Sequence, residues 1–414
     1  MTTTPSADPA TGAVAPEFEP IIKWLESNLG GTVRSISRQP RWRPVWFADV
    51  ERDGETLELV VRGERADSEL VFPLNHEMRI QRVMHEQGIA VPKVYGWLDQ
   101  PSAYVMDRVA GRPDFKDTTD EDRDVVVDEY VQALAQLHTL PIEPFVEAGI
   151  ERADRPENSA LIGMARLEGI YRRQKNRPDP MMEFGLSWFH RHPPQSQGRE
   201  RAVVWDSGQF HHHDGHFVSI VDVELGHIGD PMMDLAGWRM RDSIIPFGDF
   251  AQIYDRYGSL VGEPVDLEAI QLHHFAFTMS NQLGFSHTLR QPRPGADFMT
   301  NLQWCNETNL YVTEFLGEYL DLELPQVETP EPSKRQVSAA HQHLISSILG
   351  LEMHDDFGRY QTRKAFRLAR HLERFVEIGD AVEQADLDDL EQLFGHRPDD
   401  WLEGEEELER FVLA

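Results

Sequence analysis

Strand-like segments are confined to residues 32–106 and 203–223 of this 414-residue chain, so one small sheet near the start must be carried by an otherwise helical molecule. Thr32–Ser37, Val45–Arg52 and Thr56–Arg62 are rich in β-branched and aromatic residues, and Asp53-Gly54 is a hairpin dipeptide that tolerates positive φ. An antiparallel sheet is predicted there. Ahead of it, Ile21, Ile22, Trp24, Leu25 and Leu29 share one helical face and Gly30-Gly31 supplies a stop. Asn75–Gln87 predicts a helix that turns Ile80, Val83 and Met84 inward, followed by short strands at Val91–Tyr95 and Ala103–Met106. Asp107–Gly111 reads as a crossing into a new unit.

From Glu121 onward the apolar spacing is helical, with Tyr130, Leu134 and Leu137 on one stripe. Residues 203–223 return to strands: Val203-Val204-Trp205, Gln209–His213, and His216–Val221 across an Asp214-Gly215 turn. Segments 249–258, 266–286, 298–320, 336–352 and 359–379 predict helices, and the chain after Glu377 predicts an acidic amphipathic extension. The boundaries drawn are a disordered tail over 1–16, a sheet-bearing lobe over 17–107, a helical lobe over 108–330 and a helical extension over 331–414.

Charge narrows the choice of partner. The chain has 40 Lys and Arg against 71 Asp and Glu, a net charge of −31, which argues against nucleic acid. Hydrophobic residues make up 40% of a sequence with no apolar run of membrane-spanning length and no signal-like start, so neither a membrane partner nor export is expected, and the cytoplasm is. Cys305 is the single cysteine, which excludes an internal disulfide and any multi-cysteine metal site. The oligomeric state is left open.

The stretch Val221-Asp222-Val223-Glu224-Leu225-Gly226-His227-Ile228-Gly229-Asp230-Pro231-Met232-Met233-Asp234-Leu235-Ala236 resembles the metal-binding motif of the aminoglycoside-phosphotransferase-like family, which includes choline-kinase-type enzymes. The resemblance extends over about residues 30–330. It implies an α+β fold of the protein-kinase type: two lobes, a small antiparallel-sheet N-lobe and a mostly helical C-lobe, here with a C-terminal helical extension. It also implies an ATP- and Mg²⁺-dependent phosphotransferase that acts on a hydroxyl of a small molecule. Acceptors across that family include aminoglycosides, choline-like alcohols, sugars and hydroxyacyl thioesters, and no residue here selects among them.

Carried over residue by residue, the motif makes Asp222 the magnesium ligand, with Asp230 and Asp234 bracing the loop. The family's upstream His-Gly-Asp is represented by Val204-Trp205-Asp206, so Asp206 takes the place of the residue that orients or deprotonates the acceptor hydroxyl, while the His and Gly are replaced. Gln209 stands for the family's metal-binding Asn if two loop residues are missing, and its amide oxygen suits a hard cation. His211 sits at the unshortened spacing, but imidazole is a poorer magnesium ligand. In the small lobe, Arg62 occupies the place of the phosphate-clamping lysine and Glu77 that of its glutamate partner.

An arginine fork is not equivalent to a lysine, so Arg62 is either a working substitute or the mark of a damaged nucleotide site. The chain has 34 arginines and six lysines, a bias that favours the working substitute. The turn Gln39-Pro40-Arg41-Trp42-Arg43-Pro44 replaces a small-residue phosphate loop; Arg41 and Arg43 either contact phosphate or form a solvated basic turn. Arg239, Arg241 and Asp242 read as a surface helix face or as the lining of an acceptor pocket. His138 reads as a buried hydrogen-bonding residue. Two rival functions remain: a catalytically inactive kinase-like protein that binds a nucleotide or metabolite, and a metal-dependent hydrolase built on His211, His212, His213 and His216. Strand alternation opposes the second, because His211 and His213 face away from His212.

Overall fold

The computed structural model describes residues 16–65, 69–293, 296–333, 335 and 337–414. Apart from Pro16, the tail expected over 1–16 lies outside them. The architecture is α+β and two-lobed in the manner of protein kinases, with a sheet-rich N-lobe and a helical C-lobe that ends in further helices.

Helix α1 (Glu19–Leu29) leads into β1 (Thr32–Arg38), β2 (Val45–Arg52) and β3 (Glu55–Gly63). The β2–β3 turn has φ of 55° at Asp53 and 85° at Gly54, as its primed geometry requires. After α2 (Leu74–Glu86), β4 (Val94–Asp99) and β5 (Ser102–Asp107) complete an antiparallel sheet in the order β1-β2-β3-β5-β4. β4 begins three residues later than the strand expected from Val91, because the Pro92 carbonyl accepts a bond from Gln81 of α2 at 2.8 Å and proline has no N–H to give a ladder.

Strand parity then places the chemistry. Leu59 and Val61 of β3 are buried with Ile21 and Leu25 of α1, Ile36, Ala48, Val50 and Val105, so Arg62 falls on the opposite face, paired in register with Tyr104.

The C-lobe begins with α3 (Asp120–Thr139), whose first turn is capped by Thr119 accepting from the Asp122 N–H at 3.1 Å. α4 (Glu143–Glu147), a 3₁₀ turn (Pro156–Leu161), α5 (Ile162–Gln174) and α6 (Pro180–Arg191) follow. Next come β6 (Arg201–Val203), β7 (Phe210–His213), β8 (His216–Ile220) and β9 (His227–Gly229), in two-stranded ladders β6-β9 and β7-β8. α7 (Met232–Arg241), α8 (Phe250–Val261) and α9 (Leu267–Thr278) pack Leu235, Trp238, Ile253, Tyr257 and Ile270 against Tyr130, Leu134 and Leu137 of α3. The remaining helices are α10 (Ser280–Arg290), α11 (Phe298–Tyr319), α12 (Ser338–Leu349), α13 (Asp356–Phe394) and α14 (Trp401–Leu413).

Two expectations are corrected. The helix expected over 266–286 is interrupted at Met279, whose φ of −79° and ψ of −14° keep helical angles, so the interruption is in the hydrogen-bond ladder. Val203-Val204-Trp205 is a strand only as far as Val203, since the Val204 and Trp205 N–H groups bond to the buried Asp234 carboxylate instead of a neighbouring strand.

By proximity the chain forms two compact units. One holds residues up to Gln39, Arg43–Arg166 and Pro193–Phe277, with the sheet and the motif loops. The other holds Pro40–Trp42, Leu167–His192 and Thr278–Ala414, and is helical, with Asp179 and Arg290 paired at 2.8 Å in its interior. Among the described residues no helix is long and apolar enough to cross a membrane.

Candidate active site

Arg62 reaches from β3 to α2, where its Nε lies 2.6 Å from Glu77 Oε1. Both side chains are buried, and Tyr104 donates to the same Oε1 at 3.1 Å. Arg43, 1% exposed, approaches Glu77 Oε2 at 3.5 Å. One buried carboxylate is therefore held between two guanidinium groups; burial pushes the Glu77 carboxyl above its ordinary value, and Arg62 and Arg43 oppose that rise.

The loop after β8 brings the metal motif to the same place. Arg62 Nη2 contacts Asp222 Oδ1 and lies 3.6 Å from Glu224 Oε2, while Arg43 Nη2 contacts the same Glu224 oxygen. Burial alone would pull the Arg62 guanidinium down, but Asp222 and Glu77 overcome it and hold its pKa well above the ordinary value. Asp222 has φ of 62°, a left-handed backbone that an L-residue adopts at a cost and that marks sites over-determined by their surroundings.

The third element is the turn after β6. Asp234 of α7, fully buried, accepts from the Val204 N–H at 2.9 Å and from the Trp205 N–H. His138 Nε2 lies 3.0 Å from Asp234 Oδ2, the oxygen that also accepts from Val204, and His138 is itself bonded to Tyr257 at 2.8 Å. Trp205 is left-handed, with φ of 62°. Its carbonyl oxygen sits 2.1 Å from where a Cβ on Gly237 would stand, and its ring 2.3 Å from where one on Gly163 would stand, so both positions require glycine. This turn presents Asp206. Gln209 Nε2 donates to Asp206 Oδ2 at 2.8 Å, and Arg241 Nη2 donates to Oδ1. Burial raises the Asp206 carboxyl above the ordinary carboxylate range; Arg241 opposes the rise, while Asp222 and Glu224 add to it.

Residues 42–269, more than half of the chain, match the sequence model of the phosphotransferase enzyme family. The chain belongs to that family. Among solved structures, a thermostable mutant of aminoglycoside phosphotransferase APH(4)-Ia in its apo form aligns over 72% of this chain and 99% of its own, with a TM-score of 0.50 at 12% identity. Choline kinase LicA from Streptococcus pneumoniae aligns over the same shares with a TM-score of 0.50 at 14% identity. These likenesses are of fold. The curated relatives include acyl-CoA dehydrogenase family member 11 of Rattus norvegicus and of Homo sapiens, each 25% identical over 177 residues. That match takes in 39% of this chain and spans 22% of the relatives' length.

In this phosphotransferase-family chain, Arg62, Glu77, Arg43 and Asp222 form one continuous set of ion pairs, and Asp206 with Gln209 forms a second that feels the charge of Asp222. Arg41, with Pro40 and Trp42, belongs to the other unit, where Trp42 meets Trp304 edge-on at 6.1 Å. One participant, Glu224, has no role assigned from the sequence, and a second, Arg241, reads there only as a surface residue or as acceptor-pocket lining. Glu224 shares the motif with Asp222 two residues on, and this close repeat was the available signal. Arg241 ends the same stripe of α7 that carries Asp234 and Trp238, a spacing of four then three, and its partner is Asp206.

The donor set suits magnesium. Among the described residues no three His, Cys, Asp or Glu side chains converge on one point. Magnesium typically takes only one or two carboxylates from a protein and completes its shell with phosphate and water. Asp222 and the amide oxygen of Gln209 are hard donors of that kind, and Gln209 has already used its nitrogen on Asp206. The histidines are committed elsewhere: His211 Nδ1 to the Ala110 carbonyl at 3.2 Å, His212 Nε2 to the Asp114 carbonyl at 2.7 Å and His216 to Glu129 at 2.8 Å.

His227, inside the motif, predicts an acid sensitivity. Its Nδ1 pairs with the Leu225 carbonyl at 2.8 Å, its Nε2 is buried without a partner among the described residues, and burial lowers its pKa to about 4. The unfolded chain binds that proton near pH 6.5, so stability is lost as pH falls from about 6.5 toward 4, by up to about 3 kcal/mol from this group. Urea midpoints across that range should show the slope, and His227→Phe should flatten it.

Proposed function

We propose that this protein is an ATP- and magnesium-dependent kinase that phosphorylates a hydroxyl of a small molecule. The observation that carries the reading is the convergence of a buried, doubly held cation, Arg62, with a motif carboxylate, Asp222, beside a base-type carboxylate, Asp206, that is gripped at both oxygens. The sheet-bearing lobe, 17–107, takes the nucleotide and the helical lobe, 108–330, the acceptor. Asp222 and Gln209 would hold the metal, which when bound would neutralise phosphate charge.

Each residue of the chain then has a distinct task. Glu77 fixes Arg62 through Nε, and the Nη end of the fork, which here meets Asp222, is the end available to phosphate. Arg43 ties Glu224 to Glu77 and so braces the motif loop against α2. Asp206 accepts the acceptor hydroxyl's proton, and its raised pKa improves it as a base. Arg241 and Gln209 limit its rotation, so that alignment rather than covalent chemistry lowers the barrier.

One observation favours the inactive alternative: the Arg62 fork already bridges Glu77 and Asp222. Calorimetric titration with ATP, with and without magnesium, followed by slow ATP hydrolysis, separates the readings. Magnesium-dependent binding with turnover is expected. Binding without turnover for any hydroxylated acceptor would favour the inactive form, and no binding at millimolar ATP would overturn the kinase and leave only an inactive protein that binds some other metabolite.

A further inference from the structure

α13 is 39 residues long, about 58 Å of helix, and its charges are segregated along it. Residues 356–374 carry six basic side chains and two acidic ones, whereas 375–394 carry seven acidic side chains and no basic one. The macrodipole acts only over the end turns, and the first turn is acidic, with Asp355 as cap and Asp356, so it does not account for the segregation along the rest of the helix. The segregation therefore serves something outside the helix.

A stripe of small and apolar residues runs through the same region at alternating spacings of four and three: Leu368, Leu372, Phe375, Gly379 and Val382. Leu372 is 44% exposed, Phe375 64% and Val382 39%, while the buried side of the helix is marked by Ala369, Glu373 and Leu387. The stripe is thus turned away from the contacts α13 makes with α12, where Gln342 bonds to Glu373. Lys364 and Arg367 border it in the basic half, and Glu383, Asp386 and Asp389 border it in the acidic half. Arg367 has only neutral partners, Thr300 at 3.2 Å and Gln303 at 3.1 Å. None of the three acids has a cationic partner among the described residues, and the Asp386 carboxyl is pushed up by burial and by its neighbours Asp389 and Glu383.

We propose that α13 is a self-association surface, on which two copies of this chain pair their α13 helices antiparallel about a two-fold axis near Glu377. Charge complementarity selects this occupant, because in an antiparallel pair the basic half of each helix lies along the acidic half of the other, whereas a parallel pair would set like charges together. The register follows from the stripe. Phe375 of each copy, its ring lying against Gly379 of its own helix, packs at the centre of the seam, Leu372 meets Val382, and Lys364 and Arg367 approach the uncompensated Asp386, Asp389 and Glu383. Burying an exposed apolar stripe supplies the attraction, and the charge halves set the orientation.

The test is the mass of the full chain in solution by sedimentation equilibrium. The wild type is expected as a dimer that dissociates as salt rises, and Phe375→Asp should weaken it by about 30-fold or more with its helical circular dichroism unchanged. Two charge-reversed chains keep the question decidable if that variant folds poorly. One carries Glu383→Lys, Asp386→Lys and Asp389→Lys; the other carries Arg363→Glu, Lys364→Glu and Arg367→Glu. Each alone should be monomeric, and an equimolar mixture should recover the dimer mass. A wild type that stays monomeric up to its solubility limit, or a dimer indifferent to both charge reversals, would overturn the proposal.

Discussion

Asp222→Ala should reduce magnesium-dependent ATP turnover by about 10³-fold or more, the equivalent of roughly 4 kcal/mol of transition-state stabilisation. Two losses combine. A hard carboxylate donor disappears from the motif loop, and Arg62 loses one of the two close carboxylates that hold its charge above the ordinary guanidinium value. The fold should survive, because Arg62 keeps Glu77 at 2.6 Å and Glu77 keeps Arg43. ATP affinity without magnesium should therefore change little, and could rise, since Asp222 no longer competes with phosphate for the Arg62 fork. Parallel titrations with and without magnesium read this directly: affinity lost equally in both would mean that Asp222 acts through structure and not through the metal.

Asp206→Asn should lower acceptor phosphorylation by about 10² to 10⁴-fold, the usual contribution of a positioned base, while leaving magnesium-dependent ATP binding close to the wild type. The amide keeps the shape and its oxygen can still accept from Arg241, but its nitrogen gives up the bond from Gln209 Nε2 and the group cannot accept the proton. The pH profile supplies a second check. Asp206 works only when ionised, and burial places its pKa above the ordinary carboxylate value of about 3.9, so turnover falls as pH drops through that raised value. Arg241 opposes the rise, so Arg241→Leu should carry the acid limb to still higher pH. An acid limb that does not move in Arg241→Leu would remove Asp206 as the titrating base.

Much of the N-lobe was legible because short-range rules govern it. The Asp53-Gly54 dipeptide selects a turn whose positive φ values few other pairs accept, and the alternation around Val61 puts Arg62 on the face away from α1. The motif around Asp222 was legible as a resemblance, and the family match over 42–269 agrees with it. The turn before Asp206 was not legible. Val204 and Trp205 have strand-forming side chains, and only the buried Asp234 carboxylate, 30 and 29 residues away, diverts their N–H groups from a ladder.

The chain's local pattern sufficed for the order of sheet and helices, the hairpin, the helix faces and the charge segregation of α13, since each depends on periodicity or backbone preference within a few residues. The pairing of ions came only with the fold. Arg43 reads locally as part of a basic surface turn and is in fact buried between Glu77 and Glu224, 34 and 181 residues away. Arg241 reads as a surface helix face or as pocket lining, and only the fold shows that it grips Asp206 across 35 residues. A guanidinium on a long flexible stem can reach many carboxylates, and which one it meets is decided by what the packed lobes bury together.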